Sequence, residues 1–325
     1  MEGQKRLFEI IKSKISKEKL VFAIEELLKV CTDSAYRRIR CEKELTLSEL
    51  QKICSKYNLS MDDILNYKSK RSALFHYSSV DFSDQESYIA YIMRLSNRFT
   101  TMKSALDKEI LFTGQDIPFY HFLKYPELYF LKLYAWNNTA GRESISYNSF
   151  CNCLEKERIV SIYEKMHHAY MSIPSKEIWT TQTIDTTLKL LEYYYVTGAF
   201  ESKETVQLLL NQLTDLLDTV KKYANNGYKG SDIKTPFSMY VCSVDLENNF
   251  MITRKENQLS CCLKLYTINS ISTDNEFLCA ETYKWIDDLI SKSTLISSAS
   301  LKERLSFFQF NMSKIDVLKN KLESS

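Results

Sequence analysis

The chain has little glycine, proline or histidine and no long apolar run. Its 325 residues include only 6 Gly, 4 Pro and 4 His. So few helix breakers argue against a protein made of tight turns and for long helices. The scarcity of histidine narrows the room for imidazole chemistry, and His167 and His168 are neighbours that point to different sides of a helix, a poor geometry for sharing a metal. No apolar stretch approaches the ~20 residues of a membrane span. The opening MEGQKRLFEI lacks the apolar core of a signal peptide. A soluble, cytoplasmic protein with no membrane partner is expected.

Recognisable catalytic motifs are missing too. There is no glycine-rich phosphate loop, no GxSxG elbow and no HExxH. The 9 cysteines are an odd, scattered set: Cys151 and Cys153 form a CxC pair and Cys261 and Cys262 are adjacent, but no histidine lies near enough to complete a zinc cluster. Free, buried thiols in a reducing compartment follow, since cysteine packs as a small hydrophobe. Neither enzymatic activity, nor a metal, nor a cofactor is expected.

What is present begins with charge. Residues 1–70 carry 15 Lys and Arg against 11 Asp and Glu, whereas the remainder carries 28 against 30. Positive charge therefore sits at the N-terminal end. A helix is predicted from Gln4 to Ile15, and Val21, Ile24, Leu27 and Leu28 recur at helical spacing to give a second. Val30 and Cys31 lead to Thr32, whose hydroxyl is placed to cap a third. In that helix Ala35, Tyr36 and Ile39 fall on one side, Ser34, Arg37 and Arg38 on the other, with Asp33 and Arg40 flanking. Thr46 and Glu49 form a capping box for a fourth helix with Leu47, Leu50, Ile53 and Tyr57 as buried positions. Ser60 with Asp63 opens a fifth, carrying Met61, Ile64 and Leu65.

Five short helices with a tight turn before TDSAYRRIR make residues 4–66 similar to the phage-repressor and Cro-like helix-turn-helix family of bacterial transcriptional regulators. The resemblance implies double-stranded DNA as partner, a third helix lying in the major groove, and a homodimer on pseudo-palindromic operators. Carried over by position, Ser34, Arg37 and Arg38 face base edges, and Thr32, Asp33 and Arg40 lie near phosphates or the groove rim. Three positions depart from the family: Glu25 replaces a small residue, Lys29 replaces the glycine of the turn, and Cys41 stands where glycine often ends the third helix.

The predicted organisation is a DNA-binding domain over 1–67, a polar linker over 68–83 and an α-rich regulatory or dimerisation domain over 84–325. In the last, Tyr88, Ile92, Leu95, Phe99, Met102, Leu106 and Ile110 step by three and four along a helix from Asp84 to Ile110. Asp116 and Pro118 start an aromatic helix, and others are predicted over Glu155–Tyr170, Glu177–Thr197 and Ser202–Asn226, the last two ending at Gly198 and Gly227. A small antiparallel β-meander is expected at about 237–268, and capping boxes at Thr273/Glu276 and Ser300/Glu303 return the chain to helix. The fold class predicted is mainly α. With 21 Tyr, 17 Phe and 3 Trp, the larger domain has the side chains for a ligand pocket.

The function expected is sequence-specific DNA binding by a transcriptional regulator whose C-terminal domain serves dimerisation and the sensing of a small-molecule or protein effector. Two other readings fit the residues: a protein-interaction module built on a helix-turn-helix-like bundle, or such a bundle fused to an unrecognised enzyme.

Overall fold

Apolar side chains gather into cores that divide the chain between Leu74 and Phe75. The computed structural model describes residues 2–12, 15–57, 59, 61, 64, 72–81, 84–139, 145–230, 234–244, 246, 248–265 and 268–323. Thirteen helices and nine strands are found among them.

The first unit contains α1 (Glu2–Lys12), α2 (Lys17–Leu28), α3 (Thr32–Ile39) and α4 (Leu47–Tyr57). Leu7, Phe8 and Ile11, then Leu20, Val21 and Ile24, then Ala35 and Ile39, then Ile53 and Cys54 step by one helical face each and meet in a single core, joined by Ile64. Leu47, expected inside, is 72% exposed because it opens α4 on the side away from that core. Of the fifth helix, Ser60, Asp63 and Leu65 lie outside the described residues.

The second unit is built on a mixed sheet. Its strands are β1 (His76–Ser78), β2 (Lys108–Thr113), β3 (Ser175–Trp179), β4 (Tyr228–Lys229), β5 (Thr235–Val241), β6 (Phe250–Lys255), β7 (Gln258–Lys264), β8 (Ser270–Thr273) and β9 (Thr294–Leu295). They lie in the order β1-β8-β7-β6-β2-β3-β5-β4, with β9 also paired to β5. β2, β3 and β5 are parallel, whereas β6, β7, β8 and β1 continue the sheet antiparallel. The helices are α5 (Gln85–Lys103), α6 (Phe119–Phe122), α7 (Pro126–Thr139), α8 (Tyr147–Cys153), α9 (Lys156–Tyr170), α10 (Asp185–Val196), α11 (Lys203–Asn226), α12 (Glu276–Ser291) and α13 (Leu301–Glu323). Successive strand residues face opposite sides: Ile110, Phe237 and Met239 enter the large aromatic core, while Leu111, Ile178, Ile252 and Cys261 pack on Cys279 and Ile286 of α12.

This architecture corrects the expectation of a mainly α fold with a small meander over about 237–268. The meander is one part of a nine-stranded sheet. Two of its central strands lie where helices were predicted: β2 occupies the end of the helix expected to reach Ile110, and β3 the start of the one expected from Glu177. Both strands are covered on both faces, so their sequences lack the polar alternation that marks a half-exposed strand. The predicted stripe on α5 accordingly stops at Met102, and Leu106 beyond it is 97% exposed. The stripe is consumed by the unit's own core, where Tyr88, Ile92, Phe99 and Met102 are buried.

A polar network is sealed inside this core. Glu177, wholly buried on β3, accepts bonds from Tyr170 Oη at 2.9 Å, Trp179 Nε1 at 3.1 Å and Ser175 Oγ at 3.2 Å, and pairs with His121 Nε2 at 2.8 Å. Burial pushes its carboxyl up, but His121, Lys229 and the donors outweigh burial and hold it below the ordinary carboxylate range. Lys229 donates to Tyr170 O at 3.2 Å, Ile173 O at 2.7 Å and Ser175 Oγ at 3.2 Å, with its ammonium 3.5 Å from the centre of the Tyr170 ring. Satisfied polar clusters of this kind fix one packing of the core around them.

Candidate nucleic-acid interface

α2 and α3 pack on each other across a turn of Lys29, Val30 and Cys31. The turn is sharp because Lys29 adopts a left-handed conformation, φ 54°, and closes α2 by donating its N–H to Glu25 O. Cys41, which follows α3, is left-handed as well at φ 62°. Lysine and cysteine thus stand in backbone conformations where glycine is the unstrained choice.

The N-cap of α3 is Cys31, not Thr32, and no side chain caps that end. Thr32 instead begins the helix and donates its hydroxyl to Glu25 Oε1 at 2.5 Å, tying the start of α3 to α2. Ala35 and Ile39 face the core as predicted, with Tyr36 half-buried against it.

The main correction concerns Arg38. It is 5% exposed, and its guanidinium donates to Ser34 Oγ at 2.5 Å, Ser34 O at 3.1 Å and Glu49 Oε1 at 2.7 Å. It therefore joins α3 to α4, and neither Arg38 nor Ser34, which is occupied by it, belongs to a free reading face. Glu49 has a second duty: its Oε2 accepts from Thr46 N–H at 3.0 Å while Thr46 Oγ1 accepts from Glu49 N–H at 3.2 Å, completing the predicted capping box. The bond from Arg38, opposed by burial and helped by Thr46, holds the Glu49 carboxyl below its usual range. Sequence pattern alone gave no sign of this pairing, because Arg38 and Glu49 are eleven residues apart on different helices.

What α3 and its C-cap expose is Thr32, Asp33, Arg37 and, at the cap, Arg40. Asp33 and Arg37 are one turn apart on one stripe; Arg40 lies 5.6 Å from the centre of the Tyr36 ring and 3.8 Å from Glu42. Gln4 of α1 braces the end of the helix, donating to Arg38 O and Lys43 O at 2.8 Å each and accepting from Leu45 N–H at 3.0 Å. Lys43, exposed beside that brace, is a cation the helix-based reading overlooked.

No protein-family model, curated protein or solved structure matches this chain. The interface is therefore judged on its own geometry and charge. An exposed α-helical stripe carrying guanidinium groups fits the width of a major groove and the paired acceptors of guanine. Elsewhere, no three His, Cys, Asp or Glu among the described residues are placed to hold a metal ion, and all nine cysteines are free. No helix among the described residues is long and apolar enough to cross a membrane.

Proposed function

We propose that the first unit reads double-stranded DNA through α3 and that the chain is a sequence-specific transcriptional regulator. The observation that carries this reading is the division of labour among the arginines of α3. Arg38 is spent internally, holding the helix to α4, while Arg37 and Arg40 stay exposed on a helix fixed against α2 by a three-residue turn. A helix locked from behind and charged in front is what major-groove reading requires. Arg37, with Asp33 and Thr32 nearer the helix start, supplies base contacts; Arg40 and Lys43 supply phosphate contacts. Reading in pairs, on half-sites about 34 Å apart, makes the working species a homodimer. The second unit provides dimerisation and effector sensing.

Fluorescence-anisotropy titration of the full chain on its own promoter DNA at several salt concentrations tests the reading. Preferential binding that weakens steeply with salt supports it. Arg37→Ala should then lose about 1–3 kcal/mol of preference for the best site, while Lys43→Ala should weaken all sequences alike. Weak, sequence-blind binding by the native chain would reject DNA reading in favour of a protein-docking bundle.

A further inference from the structure

The two faces of the antiparallel half of the sheet are furnished differently. One face meets α12 through Ile252, Cys261 and their neighbours. On the other, strand register aligns Lys264 with Ser270 and Ser78, Cys262 with Ser272 and His76, and Thr253 with Ser260. Small hydroxyl and thiol side chains thus occupy positions where a packed core would carry branched apolar ones. Between this floor and helices α5 and α7 lies a cleft of about 960 Å³, all of whose lining belongs to the second unit. Its size is that of a site for a small molecule.

The cleft sits where topology favours a site. β2 has its parallel partner β3 on one side and the antiparallel β6, reached only after β5, on the other. Ligands of open sheets bind outside the carboxyl ends of strands at such reversals. Just past that end of β2, Asp116 is held by Lys132 Nζ at 2.8 Å, Thr186 Oγ1 at 2.9 Å and Lys264 Nζ at 3.5 Å, and Asn249 Oδ1 accepts its N–H at 3.3 Å. One carboxylate faces two ammonium groups, which leaves an excess positive charge on the less buried Lys264. Lys264 lies 5.8 Å from the centre of the Trp136 ring, and Lys132 lies 4.6 Å from that of Phe122. At the mouth, Arg94 and Arg98 stand one turn apart on α5, exposed, with no ion pair to a carboxylate among the described residues. The lining holds five Lys and Arg against three Asp and Glu, beside the aromatic walls of Phe119, Phe122 and Trp136.

We propose that this cleft binds a small organic anion with an aromatic body, its anionic group on Lys264, its rings against the half-buried Phe119 and Trp136, and its polar edge on the hydroxyls of Ser260 and Ser270. In the regulatory reading above this ligand is the effector. The binding is measured without DNA, so failure of this claim and failure of DNA reading are separable.

The test uses the full chain and two probes with the same rings, 8-anilinonaphthalene-1-sulfonate and the uncharged N-phenyl-1-naphthylamine. Near-UV circular dichroism confirms native packing, since the sulfonate probe also lights up loosened cores. The expected result is saturable, one-per-chain binding of the sulfonate, at least tenfold tighter than the neutral probe. Lys264→Met should weaken the sulfonate at least tenfold and leave the neutral probe unchanged. Ser260→Trp should fill the floor and abolish both. Equal affinity for the two probes, or sulfonate binding unaffected by Lys264→Met, overturns the proposal. Should Ser260→Trp fail to fold, the half-exposed Lys264 variant decides alone.

Discussion

Replacing Arg38 and replacing Arg37 should have opposite consequences, although the residues are adjacent and chemically identical. Arg38→Ala removes three hydrogen bonds and leaves Glu49, only 17% exposed in its side chain, without its cation. Breaking a buried pair in this way costs ~3–5 kcal/mol. Glu49 retains some water and its bond from Thr46 N–H, which brings the cost below that range, to about 2–3 kcal/mol. Arg37 is exposed, and its replacement should stay within about 0.5 kcal/mol. Hydrogen exchange of the full chain, read on peptides from α2 to α4, resolves the two. Exchange in Arg38→Ala should be about 30- to 150-fold faster, by the tenfold change per ~1.4 kcal/mol, and in Arg37→Ala nearly native. The pH dependence follows with its sign. The Glu49 carboxyl is held low in the fold, so its contribution is complete above the unfolded value of about 4.3 and is lost as pH falls through the lower, folded value. In Arg38→Ala that acid-side loss should shrink. Equal protection in the two variants would refute the assignment of Arg38 as the link between α3 and α4.

Burial draws Lys229 down to about 7, with Glu177 offsetting only part of the cost. Below that value the lysine is charged in both states; above it the unfolded chain keeps a proton the fold has released, up to about pH 10.4. Stability relative to Lys229→Met should therefore rise with pH above 7, by at most ~1.4 kcal/mol per unit, in urea melts followed by Trp136, Trp179 and Trp285; parallel profiles would contradict it. Gly227→Ala should cost clearly more than Gly198→Ala by thermal melting: both glycines have positive φ, +74° and +70°, but only at Gly227 would the new Cβ meet Ser298 Oγ, at 1.9 Å. Equal losses would show that Ser298 swings aside. Lys29→Gly should slow exchange in α2 and α3 by relieving a strain of ~1 kcal/mol at φ 54°; faster exchange would mean the chain entropy of glycine outweighs the relief.

Features carried by local chemistry were legible in the sequence. The Thr46–Glu49 capping box, the helix starts at Asp84 and Ser202, the helix ends at the left-handed Gly198 and Gly227, and the three-four stripes of α2 and α5 each depend on residues within a turn or two of one another. Features set by tertiary contact were not. β2 (KEILFT) and β3 (SKEIW) are short and covered on both faces, and neither alternates apolar with polar residues, so periodicity does not mark them as strands. Asp116, expected at the start of the aromatic helix, is instead the partner of Lys132, and the cap position of α6 is Pro118. Likewise the cap of α12 is Asn275 rather than Thr273, whose hydroxyl binds the Asn275 N–H. For the candidate interface, helical phase correctly put Ala35 and Ile39 inside and Arg37 outside, but a 100° step leaves Arg38 near the boundary. Its long side chain reached inward to a carboxylate on another helix, a choice no local pattern encodes.

The most direct measurement of the central claim is enrichment of a random duplex library by the full chain near physiological salt, compared with the Arg37→Ala variant. If α3 reads DNA, the native chain enriches one motif, repeated as inverted half-sites about one helical turn apart, and Arg37→Ala loses preference at a single position of each half-site. Enrichment of no motif, or of the same motif with unchanged preference by Arg37→Ala, would contradict the role given to α3.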